Sequence, residues 1–313
     1  MLRRLLTTYL RPFRMEIIAV VVLQALSSVA GLLLPTINAD IIDRGVARGD
    51  QGYIWRMGGI MMAITFVQVV LSVAAVLYGS RVAMGFGRDA RRAIFGKVNE
   101  FSSREVNQFG APSLITRITN DVQQVQMLVL MTCTLLLGAP FTAVGGMVLA
   151  AHQDVDLSWI VMVSVPVVVV LLFFIVSRMV PTFRVMQTKI DRLNEIMREQ
   201  LSGIRVVRAF VREPQELARF REGSLEVTER ALIGGRLMSL MFPTVTFIVN
   251  VSSVAVVWFG ANRIADGTMQ AGALVAFLTY LVQILMAVMM STFMGALYPR
   301  ASVSADRIQE VLD

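Results

Sequence analysis

One cysteine, Cys133, and one histidine, His152, are the only residues of their kinds in this chain of 313 residues. A Ser–His–Asp or Cys–His arrangement is therefore starved of parts, with the histidine in a short connection and the cysteine inside an apolar run. His152 has no second His or Cys near it, which argues against a metal site. A lone cysteine forms no intrachain disulfide, and Cys133 reads as a small core residue. No G-x-x-x-x-G-K-[ST] stretch occurs, so no P-loop is present with which this chain could hydrolyse ATP. Binding chemistry remains. Gln24, Ser27, Ser28, Asn250 and Gln283 are uncharged hydrogen-bonding side chains set in strongly apolar segments. Lipid offers them no partner, so they are expected to face the interior of a helix bundle. Met286, Met290 and Met294 recur at helical spacing beyond Gln283, in a chain with 20 methionines. Soft thioether surfaces suit adaptable apolar binding, although the same residues equally suit helix packing or lipid contact. Gln24, Ser28, Asn250, Gln283, Met286 and Met290 are thus the candidate pathway for an amphipathic, drug-like or lipid-like substrate.

The elements that must hold these residues follow from hydropathy. The chain is 56% hydrophobic and 16% charged, with a mean hydropathy of +0.66. Six apolar spans stand out, at 17–39, 57–80, 127–150, 157–177, 237–261 and 272–297. Each supplies about the ~20 residues a bilayer requires. Helices are expected throughout, because backbone groups in lipid must be satisfied within the segment and no short alternating strands suggest a barrel. Glu16, Asp40, Arg81, Arg178 and Arg263 lie at or beyond span ends, leaving no acid or base in mid-membrane. That argues against proton coupling and leaves sodium coupling through backbone carbonyls open. Pro35, Pro140, Pro166 and Pro243 are isolated and read as kinks. At the N-terminus, Leu2, Leu5, Leu6, Tyr9, Leu10 and Phe13 recur at helical spacing with Arg3, Arg4, Arg11 and Arg14 between them. A cleavable signal is the competing reading; the long following run favours an amphipathic helix over 1–14 in the membrane interface.

Orientation follows from charge. Four of the 29 Lys and Arg, Arg44, Arg48, Arg56 and Arg263, lie on the short connections 40–56, 151–156 and 262–271. The other basic residues lie on the termini and the long connections 81–126 and 178–236, which places these on the cytoplasmic side. Trp55, Trp159 and Trp258 fall at the opposite ends of their spans, where indoles favour the interface. The arginines flank apolar spans without an aromatic-interleaved patch, which argues against nucleic acid and for membrane lipid as the partner of the net charge of +7.

The long connections read as continuations of the spans. Met186, Ile190, Leu193, Met197, Leu201, Ile204 and Val207 step by three or four along one helix face. A helix from about 157 to 211 would be ~80 Å long against a hydrocarbon core of ~30 Å. Its hairpin is expected to turn at Pro214, and the other connection near 107–114, where Gly110 and Pro112 interrupt the pattern. Separate surface helices joined by turns are the alternative.

Three stretches carry a family resemblance. FGAPSLITRITNDVQQVQ (109–126), REQLSGIRVVRAFVREPQE (198–216) and YPRASVSADRIQEVLD (298–313) together resemble the transmembrane domain of ATP-binding cassette exporters, closest to actinobacterial multidrug or lipid exporter halves. The first keeps Arg117, Asn120 and Asp121 in R-x-x-N-D order, with Ala111-Pro112-Ser113-Leu114 departing from the usual small residue-Glu-Leu. The LSGIR stretch lacks the Gly-Gln that would follow in a cassette signature and lies in a charged helix.

The resemblance implies an all-α polytopic fold paired as a domain-swapped dimer, homomeric or heteromeric, in the plasma membrane. It implies coupling helices at about 110–116 and 209–216 that seat on a nucleotide-binding domain, fused or separate, and 298–313 as the lead into that domain. Gly110, Ala111, Ser113, Leu114, Arg117, Asp121, Ala209, Phe210, Arg212, Glu213 and Glu216 are the implied docking residues, with Phe210 as an anchor. ATP and Mg²⁺ would be held by the nucleotide-binding domain, and no cofactor by this chain. The same fold also serves importers, siderophore importers among them, so direction is read by analogy. A cassette-independent transporter or channel is the rival class.

Overall fold

A computed structural model describes residues 1–295 and 297–313 of the chain; Ala296, within the expected sixth span, lies outside the described residues. Every regular element among the described residues is helical: α1 Leu2–Leu10, α2 Arg14–Asp40, α3 Gln51–Asn99, α4 Ser103–Phe109, α5 Ala111–Thr116, α6 Val122–Met131, α7 Gly138–Gln153, α8 Ser158–Ala209, α9 Glu213–Ala265, α10 Ala271–Gly295 and α11 Tyr298–Leu312. Six helical stretches are long and apolar enough to cross a membrane. The chain is therefore a multi-pass membrane protein. It divides into two compact units, Met1–Val165 with Val249–Asp313, and Pro166–Ile248.

In the first unit α2 packs along α3, and α10 lies against both α7 and α2. Wide π-helical turns at Ile41–Val46, Arg117–Asp121 and Thr132–Leu136 interrupt the α-helical register. Such a turn lengthens the path between a carbonyl and its amide partner and leaves neighbouring carbonyls short of donors. Periodicity does not reveal these turns, since each offsets the register by about one residue.

Fully buried Phe86 and Ile94 of α3 centre an apolar cluster with Leu5 of α1, Val122 and Val125 of α6, and Ile308 of α11. The apolar face of α1 does not rest on lipid alone: Leu2 and Leu5 are buried against protein. The segment 298–313, expected to lead into a nucleotide-binding domain, forms helix α11, whose Ala301, Ala305, Ile308 and Val311 are buried. Both segments space their apolar residues along one helix face, which identifies that face without naming its partner.

The expected single helix from the second span to a turn at 107–114 also breaks early. Helix α3 ends at Asn99, and Ser102 opens α4 with a capping box: the Glu105 amide donates to Ser102 Oγ (3.4 Å) and the Ser102 amide to Glu105 Oε2 (2.7 Å). Ser-x-x-Glu at 102–105 is a helix-start signal readable from sequence. Gly110 then adopts φ +76° and separates α4 from α5, a conformation that costs other residues a Cβ clash.

The second unit is an antiparallel pair formed by the C-terminal part of α8 and the N-terminal part of α9. Ile196 is buried, and Gly223 admits Leu193 and Ile196 at close range. Lys189 pairs with Glu226 (2.8 Å) and Glu199 with Arg219 (2.8 Å) across the two helices. The Lys189 ammonium holds the Glu226 carboxyl below the usual carboxylate range.

Candidate functional site

The apolar spans of the first unit line an open cavity of about 480 Å³. Gln24, Ser27 and Ser28 of α2, Gln68 of α3, Thr134, Gly138 and Thr142 of the third span, and Gln283, Met286 and Met290 of α10 line it. Five of the six expected pathway residues, Gln24, Ser28, Gln283, Met286 and Met290, thus meet at one place. Asn250 does not: it is exposed on α9 and absent from this lining. Gln68, Thr134 and Thr142 were missed. Gln68 carried the same signal as Gln24 and Gln283, an amide in mid-span.

Side-chain hydrogen bonds divide the polar lining. The Gln24 amide donates to the carbonyls of Thr134 (3.0 Å) and Cys133 (3.4 Å), inside the wide turn Thr132–Leu136. Ser28 Oγ donates to the Gly138 carbonyl (3.4 Å), as does Thr142 Oγ1 (3.2 Å). The first span therefore supplies donors where the third span's own ladder is disturbed, as backbone in an apolar medium requires. Replacing Gln24 with Leu is expected to destabilise the protein by about 1–2 kcal/mol, read as a lower thermal midpoint in lipid nanodiscs. No change on Gln24→Leu would show that the wide turn needs no outside donor.

Around the first expected tip, the motif residues turn inward. Leu114 is buried in the apolar cluster. Arg117 Nη1 donates to the Arg307 carbonyl (2.7 Å), its Nη2 pairs with Glu310 (2.8 Å), and its guanidinium lies 4.9 Å from the Phe109 ring centroid. Ser304 Oγ donates to Oδ1 of buried Asp121 (2.9 Å). Arg117 and Asp121, expected at a docking surface, tie the wide turn Arg117–Asp121 to α11 within this chain. Motif spacing locates such residues but does not say whether their partner is another polypeptide or another helix. Ala111, Pro112 and Ile115 remain outward, while Gly110 and Ser113 are half-buried. Ser304→Ala leaves the Asp121 carboxylate without its hydroxyl donor and is expected to cost about 1.5–3 kcal/mol. Faster amide exchange across α11 would check this; unchanged exchange there would count against it.

The second tip is a turn, not the short helix expected over 209–216. α8 ends at Ala209, and α9 starts at Glu213 with Pro214 in its first turn, where a missing N–H is harmless. The turn therefore falls before the proline. Its bonds are those of a Schellman cap: the Arg212 amide donates to the Val207 carbonyl (3.0 Å) and the Val211 amide to the Arg208 carbonyl (3.2 Å). Val211 takes the left-handed position with φ +52°, where glycine is usual and a β-branched residue is strained. Phe210 and Val211 are 72% and 77% exposed, and Ala209, Arg212 and Glu213 are exposed beside them. Glu216 is half-buried and accepts from Gln200 Nε2 at its backbone carbonyl (2.9 Å) and side chain (3.3 Å).

Six membrane-length helices, a cavity with polar side chains in the first unit and an exposed hairpin turn in the second are the features of a membrane domain of the transport type. The chain belongs to the ABC transporter transmembrane region family, whose pattern it matches over residues 17–288. It is 49% identical over 312 residues to an ABC transporter ATP-binding protein of Mycobacterium tuberculosis, covering 100% of this chain and 54% of the relative. It is 30% identical over 306 residues to the ABC transporter ATP-binding protein YfiB of Bacillus subtilis, covering 98% of this chain and 53% of the relative. An export ATP-binding/permease protein of Rickettsia prowazekii is 23% identical over 281 residues, 88% of this chain and 48% of the relative. The chain thus spans about half the length of these relatives.

Proposed function

We propose that this chain is the membrane-spanning half of an ATP-driven exporter that moves an amphipathic, drug-like or lipid-like substrate across the plasma membrane by alternating access. ATP and Mg²⁺ act on a nucleotide-binding domain, fused or separate, and a second transmembrane half completes the pathway. Both termini and both helical tips lie on the cytoplasmic side, as the distribution of Lys and Arg supports.

The observation that carries this reading is the turn at Phe210–Val211. Two large apolar side chains stand exposed at a highly charged end of a helical pair, with Val211 held in a strained backbone conformation. Backbone strain kept in place by surrounding structure clusters at sites of function, and an exposed aromatic within a charged rim is what a docking anchor looks like. Arg212, Glu213 and Glu216 form that rim. The outward part of the first tip, Ala111 with the half-buried Gly110 and Ser113, forms the other contact. Closure of nucleotide-binding domains around ATP would then be transmitted along helices stiff enough to move as levers.

The test is transport in inside-out vesicles carrying the assembled transporter, with a fluorescent amphiphile as cargo. Accumulation should require ATP and survive collapse of proton and sodium gradients. Accumulation that follows an ion gradient and ignores ATP would replace this reading with a secondary transporter. ATP-driven movement in the opposite direction would replace it with an importer.

A further inference from the structure

The 480 Å³ cavity of the first unit carries a chemistry more specific than an apolar slot. None of its lining residues is acidic or basic. A charged head group taken into this lining would meet no counter-charge, in a setting where an unpaired ion is costly. Yet the lining is far from uniformly apolar, because three glutamines reach it from three different helices, α2, α3 and α10.

Those glutamines are not equivalent. Gln24 is committed to the carbonyls of the wide turn in the third span. Ser28 and Thr142 are likewise committed to the Gly138 carbonyl. No protein group among the described residues takes up the amides of Gln68 and Gln283 by a hydrogen bond, although both line the cavity. Gly31 is what lets Gln68 sit there: a Cβ at that position would lie 2.7 Å from Gln68 Nε2. An amide both donates and accepts, so an unengaged pair of them is matched best by a head group that also does both. Met286 and Met290, one turn apart beyond Gln283 on α10, offer a soft apolar surface for the rest of such a molecule.

We propose that this cavity recognises an uncharged, amide-type head on an apolar body, and that Gln68 and Gln283, rather than Gln24 and Ser28, are the side chains that read it. Gln24 and Ser28 are positioning residues that shape the wall. The biological sense of this rests on the transport reading above, but binding can be measured without ATP, so the two fail separately.

Four ligands with one C18 chain and different heads separate the alternatives: oleamide, oleic acid, oleylamine and cis-9-octadecene. Tritiated oleamide is bound to the assembled transporter in nanodiscs, corrected for empty nanodiscs, and displaced by the other three. Oleamide should bind about tenfold or more tighter than each of the others, since a site built for hydrogen bonds rejects ligands that lack them or bring an unpaired charge. The double variant Gln68→Leu/Gln283→Leu should lose about tenfold for oleamide and leave octadecene unchanged. Should the double variant not fold, the single variants and the ranking on the unaltered protein still decide. Binding of all four within twofold, preference for the acid or the amine, equal loss of all four in the variant, or no oleamide above empty nanodiscs would each overturn the proposal. ATP-driven transport persisting beside any of these results would leave the transport reading standing.

Discussion

Phe210→Asp is expected to leave the fold intact and reduce ATP-driven transport at least tenfold. The side chain is 72% exposed, so its replacement removes little folding energy; surface substitutions of this kind stay within about 0.5 kcal/mol. If Phe210 anchors the hairpin on a nucleotide-binding domain, its loss removes a docking hot spot worth about 2 kcal/mol or more and puts an unpaired charge in an apolar seat. Thermal midpoint, ATPase rate and vesicle transport should be measured on one preparation. An unchanged midpoint with lost transport is the expected pattern. Unchanged transport would show that the turn is only a solvated end. Val211→Gly is the companion: it removes the strain at φ +52° and is expected to raise stability by about 0.5–1 kcal/mol. A lower midpoint for Val211→Gly would show that the valine side chain, not the backbone angle, matters there.

Phe86→Ala is expected to have the largest effect on stability. Phe86 is fully buried in the cluster that joins α1, α3, α6 and α11, with the Tyr9 ring edge-on at 6.3 Å. Truncation to Ala leaves a cavity that four helices cannot collapse together, costing about 3–5 kcal/mol. Amide exchange should then accelerate in α1 and α11 together, because their shared support is gone. A loss confined to α3, or a midpoint shift of less than a degree, would show that the cluster does not hold these terminal helices. The contrast with Phe210 is instructive: two phenylalanines in helical extensions beyond their spans, one expected to matter for stability and one for coupling, separated by exposure alone.

Much of the architecture was legible in the residues. The extension of α8 beyond its span followed from apolar residues at intervals of three and four, the turn back into α9 from Pro214, and the cavity residues from uncharged polar groups stranded in apolar spans. Gln68 was legible by the same rule and was passed over. The Ser102–Glu105 cap was legible too, and it explains why α3 ends at Asn99 rather than running on to the turn near Gly110. Arg117 and Asp121 were located by their spacing, yet their direction was not. Asn250 shows the same limit from the other side: a polar residue in a span was expected inside, and it is exposed in this chain.

The sequence by itself determined that this chain crosses a membrane through helices, roughly which segments are apolar enough to span, and which side chains are polar within them. Hydropathy and local periodicity suffice for that, because a lipid-embedded segment must satisfy its own backbone bonds. Only the tertiary structure decided which helix face meets which. It set α11 and α1 on the Phe86 cluster, turned Arg117 and Asp121 inward, and committed Gln24 to a disturbed backbone while leaving Gln68 and Gln283 unengaged. The physical reason is that an amphipathic pattern records how apolar a face is. What the face touches depends on wide turns and on contacts between residues far apart in the chain, which no local spacing encodes.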